Sequence, residues 1–189
     1  MTYNIVRPPC SLDFRELSKK ELQDYFDWFM DAIPLRVDEL TSAVRQSPGF
    51  EDWHAFNTPE SLDDLGEWLA THVETRPRTR EELEEMRSGL AFPIDVPTVE
   101  LTNQTFSLAM DTGMYLSQVF LHNHPSLRWT QALRGKKYVD YGQPVLVEFA
   151  TGPFNPVRMM VTLAYGVVRR TRNGGRLREL YEIWAEMIR

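Results

Sequence analysis

Two histidines one residue apart, His122-Asn123-His124, form the most metal-like spacing in the chain. In an extended segment both imidazoles could meet one ion, but zinc needs a third protein ligand, which Asp111 or Asp140 would have to supply from a distance. Pro125 follows at once, so the pair reads first as a helix-end turn with exposed histidines. His54 and His72 read as a loop side chain and a helix-surface or boundary residue. Adjacent acids recur as Asp63-Asp64, Glu81-Glu82 and Glu84-Glu85. Acid catalysis requires carboxyls in a cleft whose environments separate their pKa values, whereas acids on helices are usually solvated. These six residues are therefore candidates for interaction with a partner rather than for chemistry.

Other nucleophilic and phosphate-binding patterns are missing from the sequence. Cys10 follows Pro8 and Pro9, with no histidine nearby to activate it. The chain has no Gly-x-Ser-x-Gly elbow, no Gly-x-x-x-x-Gly-Lys loop and no Gly-x-Gly-x-x-Gly fingerprint. An enzyme built on this chain would need a site assembled from distant residues, around His122, His124, Tyr141 and Arg128. Between Arg169 and Arg178 five arginines surround a Gly174-Gly175 turn, a plausible contact for phosphate or an acidic surface. No aromatic side chains are interleaved there, and the arginines also complement the negative end of a helix, so nucleic-acid binding is disfavoured.

The elements that must position these residues follow from hydrophobic spacing and punctuation. With 189 residues, 42% of them hydrophobic, the chain can bury one substantial core, and residues 1–189 are expected to form a single domain. Pro8 and Pro9 make residues 1–17 a partly ordered arm that Leu12, Phe14 and Leu17 would dock. Ser18 and Glu21 form a capping box for a helix ending before Pro34, and Leu35 to Arg45 reads as a second helix, giving an αα-hairpin. Thr58-Pro59-Glu60 opens a third helix; Thr79 and Glu82 cap a short, charged one that Gly89 stops. Pro93 and Pro97 impose a connector between Ala91 and Thr98, after which Asn103 to Phe120 carries an apolar stripe containing Gly113.

Beyond His122 the pattern alternates. Leu127 to Leu133, Lys136 to Tyr141 and Pro144 to Phe149 are candidate strands of a short antiparallel sheet near residues 127–149, with Trp129, Tyr138 and Phe149 on its face. Asn155-Pro156 opens a helix to about Val168, and a last helix follows the arginine loop. The fold class is thus α+β, helix-dominated. Its expected core needs no metal or organic cofactor to fold.

Charge narrows the function class. The net charge of −6 divides into −11 over residues 1–100 and +5 over residues 101–189. An acidic half disfavours general nucleic-acid binding and suits a basic protein partner. The sequence shows no basic-then-apolar leader at its start and no apolar run of membrane-spanning length, and a single cysteine fits a reducing compartment; a cytoplasmic protein with no membrane partner is expected.

The stretch Asp140 to Phe149, then Phe154-Asn155-Pro156, with Gly113-Met114-Tyr115-Leu116 and Leu127-Arg128-Trp129, resembles segments of small uncharacterised bacterial proteins, some of them similar to toxin-immunity proteins. The resemblance covers roughly residues 106–168 and assigns no catalytic residue. It implies an immunity-like or regulatory binding role, which agrees with a protein-binding module using the acidic N-terminal half.

Overall fold

The computed structural model describes residues 3–89 and 95–189. Helix accounts for 51% of the described residues, so this is a helix-dominated α+β fold with two short antiparallel sheets. The central element is α4 (Asn103–Asn123), started by the Thr102 hydroxyl accepting from the Thr105 amide. Leu108, Ala109, Met114, Tyr115, Leu116, Val119 and Phe120 are all buried, covering more than one side, as a helix enclosed by its neighbours requires. Around it lie α1 (Lys19–Arg45), α2 (Ser61–His72), α5 (Pro156–Val168) and α6 (Arg176–Ala185). Gly113 sets the closest approach: a Cβ there would lie 2.9 Å from the Val157 Cα of α5. The missing side chain of this glycine is what admits α5 to that distance.

One helix replaces the expected hairpin. Pro34 lies inside α1, which runs unbroken through it. Proline removes one intrahelical donor, but Pro34 is exposed, so water can solvate the carbonyl left behind. Ile33, Val37, Leu40 and Val44 keep helical spacing across the proline, so breaking the helix would turn part of this stripe away from the core. The Ser18/Glu21 capping box forms as the sequence indicates. So does the Thr79/Glu82 box of α3 (Arg80–Ser88), which buries no residue. Thr58 and Pro59 form a turn ahead of α2 rather than its cap, since Ser61 begins the helix without a side-chain cap.

The strands also differ from expectation. β3 (Arg128–Gln131) and β4 (Pro144–Val147) pair antiparallel, with Arg128 opposite Val147 and Thr130 opposite Val145. Residues 136–141, expected as a strand between them, form turns that Gly135, at φ +75°, and Gly142, at φ +78°, allow. A second sheet of β1 (Thr75–Pro77) and β2 (Val99–Leu101) was not expected; three residues per strand, with Pro77 among them, leave no readable alternation. The Pro93 part of the expected connector lies outside the described residues. The arm docks through Tyr3, Val6, Cys10 and Phe14, while Leu12 is 51% exposed and belongs to neither apolar cluster.

Candidate functional site

The six acids singled out in the sequence divide into two groups. Three are engaged by the protein's own arginines: Asp63 lies 3.3 Å from Arg178, Glu82 2.6 Å from Arg76 and Glu84 2.8 Å from Arg80. Hydrogen bonds from Arg76, then the Thr79 amide, pull the Glu82 carboxyl down to about 2. Asp64, Glu81 and Glu85 are exposed.

A longer acidic surface runs along α1. At about 100° per residue, Asp24, Asp27, Asp31, Leu35 and Asp38 fall within an arc of about 80° and a length of about 21 Å. All four aspartates are exposed, and Leu35, in their midst, is 72% exposed. Lys20 pairs with Asp24 at 2.7 Å and Gln23 donates to Asp27 at 2.8 Å; among the described residues no cation pairs with Asp27, Asp31 or Asp38. The signal was present as a spacing of acids. It was hidden because the helix break expected at Pro34 divides the row between two helices, whereas α1 runs through it.

The residues of the enzyme alternative are not brought to one place. His122 is exposed at the end of α4, while the His124 Nε2 lies 3.1 Å from the Tyr181 hydroxyl and burial lowers its pKa. Tyr141 faces a small cavity beside Phe14 and Arg15, whereas Arg128 lines a separate cleft over β3 and β4. Among the described residues no group of three or more His, Cys, Asp and Glu side chains could hold a metal ion.

Two buried acids do gather polar networks. Asp111 on α4 is fully buried and accepts from Arg36 Nε at 2.8 Å, Arg36 Nη2 at 2.7 Å and the Tyr3 hydroxyl at 2.5 Å. Ser107, one turn before it, accepts from the Val6 amide at 2.7 Å. Burial raises the Asp111 carboxyl to about 6, against the opposing hydrogen bonds from Arg36 and Tyr3. Burial also raises the Tyr3 phenol, with the Asp111 charge adding to it. Asp140, likewise buried, accepts from Arg158 Nε at 2.6 Å and from Asn155 Nδ2 at 2.9 Å, while the Asn155 side-chain oxygen caps α5. These networks clasp the arm to α1 and α4, and the 140–143 turn to α5.

No family model, curated protein or solved structure matches the chain. The functional reading therefore rests on its own residues. Both buried networks are closed and serve to hold segments together, whereas the α1 row presents unpaired charge around an apolar side chain. Among the described residues no helix is long and apolar enough to cross a membrane.

Proposed function

We propose that the protein acts by binding a basic protein partner through its acidic N-terminal half, in an immunity-like or regulatory role. The observation that carries this reading is Leu35, 72% exposed in a row of four exposed aspartates on one face of α1. An apolar centre with a charged rim is the usual anatomy of a protein interface. The complementary surface is a run of lysines or arginines flanking an apolar recess for Leu35. The aspartates speed and orient the encounter, and Leu35 supplies the desolvated contact. Asp64, Glu81 and Glu85 extend the negative field that attracts such a partner.

Affinity capture from the native host tests this with three proteins: the wild type, Asp27→Lys/Asp31→Lys and Leu35→Ala. The expected result is a basic protein held by the wild type, released at raised salt and lost from both variants. Capture of no basic protein, or of one that both variants hold equally, rules out this surface as the binding site.

A further inference from the structure

A cleft of about 500 Å³ lies over the face of β3 and β4 that carries Arg128 and Thr130, apart from the α1 row and the Asp111 network. Side chains alternate along paired strands, so Arg128, Thr130, Val145 and Val147 share this face, while Trp129 turns the other way onto Phe29 of α1. Arg134 closes one side, and residues 148–153 with Arg189 close the other. That second wall is tied down by two backbone bonds: the Arg189 amide donates to the Glu148 carbonyl at 3.0 Å and the Ala150 amide to the Met187 carbonyl at 2.6 Å.

The charges on these walls are unequal. Arg134 pairs with no acid among the described residues, and the Arg189 guanidinium donates to a neutral acceptor, the Ala150 carbonyl, at 3.1 Å. Of the three, Arg128 alone meets a carboxylate among the described residues, Glu148 at 3.1 Å, and both side chains are well exposed. Glu148 is held at φ +86°, a left-handed conformation that non-glycine residues rarely adopt. Such strain persists only where the surroundings impose it, and it accompanies functional sites. Here the Arg189 amide bonds the carbonyl of this residue, and its carboxylate sits beside Arg128.

We propose that this cleft binds a small organic anion, a carboxylate or phosphate on an apolar body. Arg128, Arg134 and Arg189 contact the oxyanion, and Val147 and the exposed Leu133 face the body. Planar guanidinium groups match both oxyanions with paired hydrogen bonds, and the cleft volume suits a small ligand. Glu148 is an internal competitor that the ligand displaces from Arg128. This inference is independent of the partner surface on α1.

Titration calorimetry with phenyl phosphate, benzoate, inorganic phosphate and benzyl alcohol tests it, using the wild type, Arg134→Ala/Arg189→Ala and Glu148→Gln. The substituted side chains are exposed or half-buried, and thermal unfolding checks that each variant is folded. Phenyl phosphate or benzoate is expected to bind, about tenfold more weakly to the double-arginine variant and about threefold more tightly to Glu148→Gln. Whichever of the two binds better identifies the oxyanion. The inference is overturned if neither binds at millimolar concentration or if the variants leave binding unchanged. Inorganic phosphate bound as tightly as phenyl phosphate overturns the apolar part of the site, and benzyl alcohol bound as well as either anion overturns the ionic part.

Discussion

Asp111 and Glu82 are carboxylates with opposite responses to pH. Burial raises Asp111 from its ordinary 3.8 to about 6, so the folded state holds a proton that the unfolded chain has released. Its contribution is fully present below pH 3.8 and is lost as pH rises through 6. Glu82, pulled from 4.5 to about 2 by Arg76, contributes above pH 4.5, and that contribution is lost as pH falls through 2. Between pH 7 and 4 the Asp111 effect acts nearly alone of the two, and it favours the fold as acid is added. Carbon-13 NMR titration of the Asp111 carboxyl is expected to give a midpoint near 6. A midpoint below 3.8 would mean that the Arg36 and Tyr3 hydrogen bonds outweigh burial.

At the scale of the element, α1 carries the clearest compromise between local preference and packing. Its capping box and its apolar residues from Leu22 to Val44 favour one helix, while Pro34 opposes it. A proline in a helix interior costs about 3 kcal/mol relative to alanine, less where the lost bond faces water. Pro34→Ala is therefore expected to stabilise the protein by about 1–2 kcal/mol, read as a higher denaturant midpoint at unchanged slope. Lower stability would show that the proline sets a bend on which the packing of α1 against α4 depends. The capping residues of α1, α3 and α5 were legible because each cap is a local hydrogen bond. The turns over 136–141 were not, because alternation alone does not distinguish a strand from a chain that finds no neighbour to pair with.

For the molecule as a whole, the arm is anchored on a buried ion pair of the body, that of Arg36 on α1 with Asp111 on α4. Arg36 binds Asp111 and also donates to the Tyr3 hydroxyl at 3.0 Å and the Asn4 carbonyl at 2.8 Å. The arm then lies over the cluster of Tyr25, Phe29, Ile33, Met110 and Met114, which Val6, Cys10 and Phe14 help to cover. Arg36→Ala leaves a buried carboxylate without its cation, and at pH 8 it is expected to cost about 3 kcal/mol. Denaturant unfolding measures the loss, and hydrogen exchange locates it: the Val6 amide should lose its protection together with the contacts of Tyr3. An unchanged Val6 exchange rate would mean that the Ser107 hydrogen bond and apolar packing hold the arm unaided.

Composition, capping pairs and hydrophobic spacing by themselves determined a helix-dominated α+β chain, the starts of α1, α3, α4 and α5, and an acidic first half. Each depends on residues within a turn or two of one another, or on simple sums over the chain. Tertiary structure alone decided that Ile33 to Val44 would carry α1 through Pro34, that Arg178 would engage Asp63, and that Asp111 would clasp the arm. It also decided that Arg128, Arg134 and Arg189 would line one cleft. Most of these outcomes join residues far apart in sequence, and they are fixed by which faces the packed helices leave open.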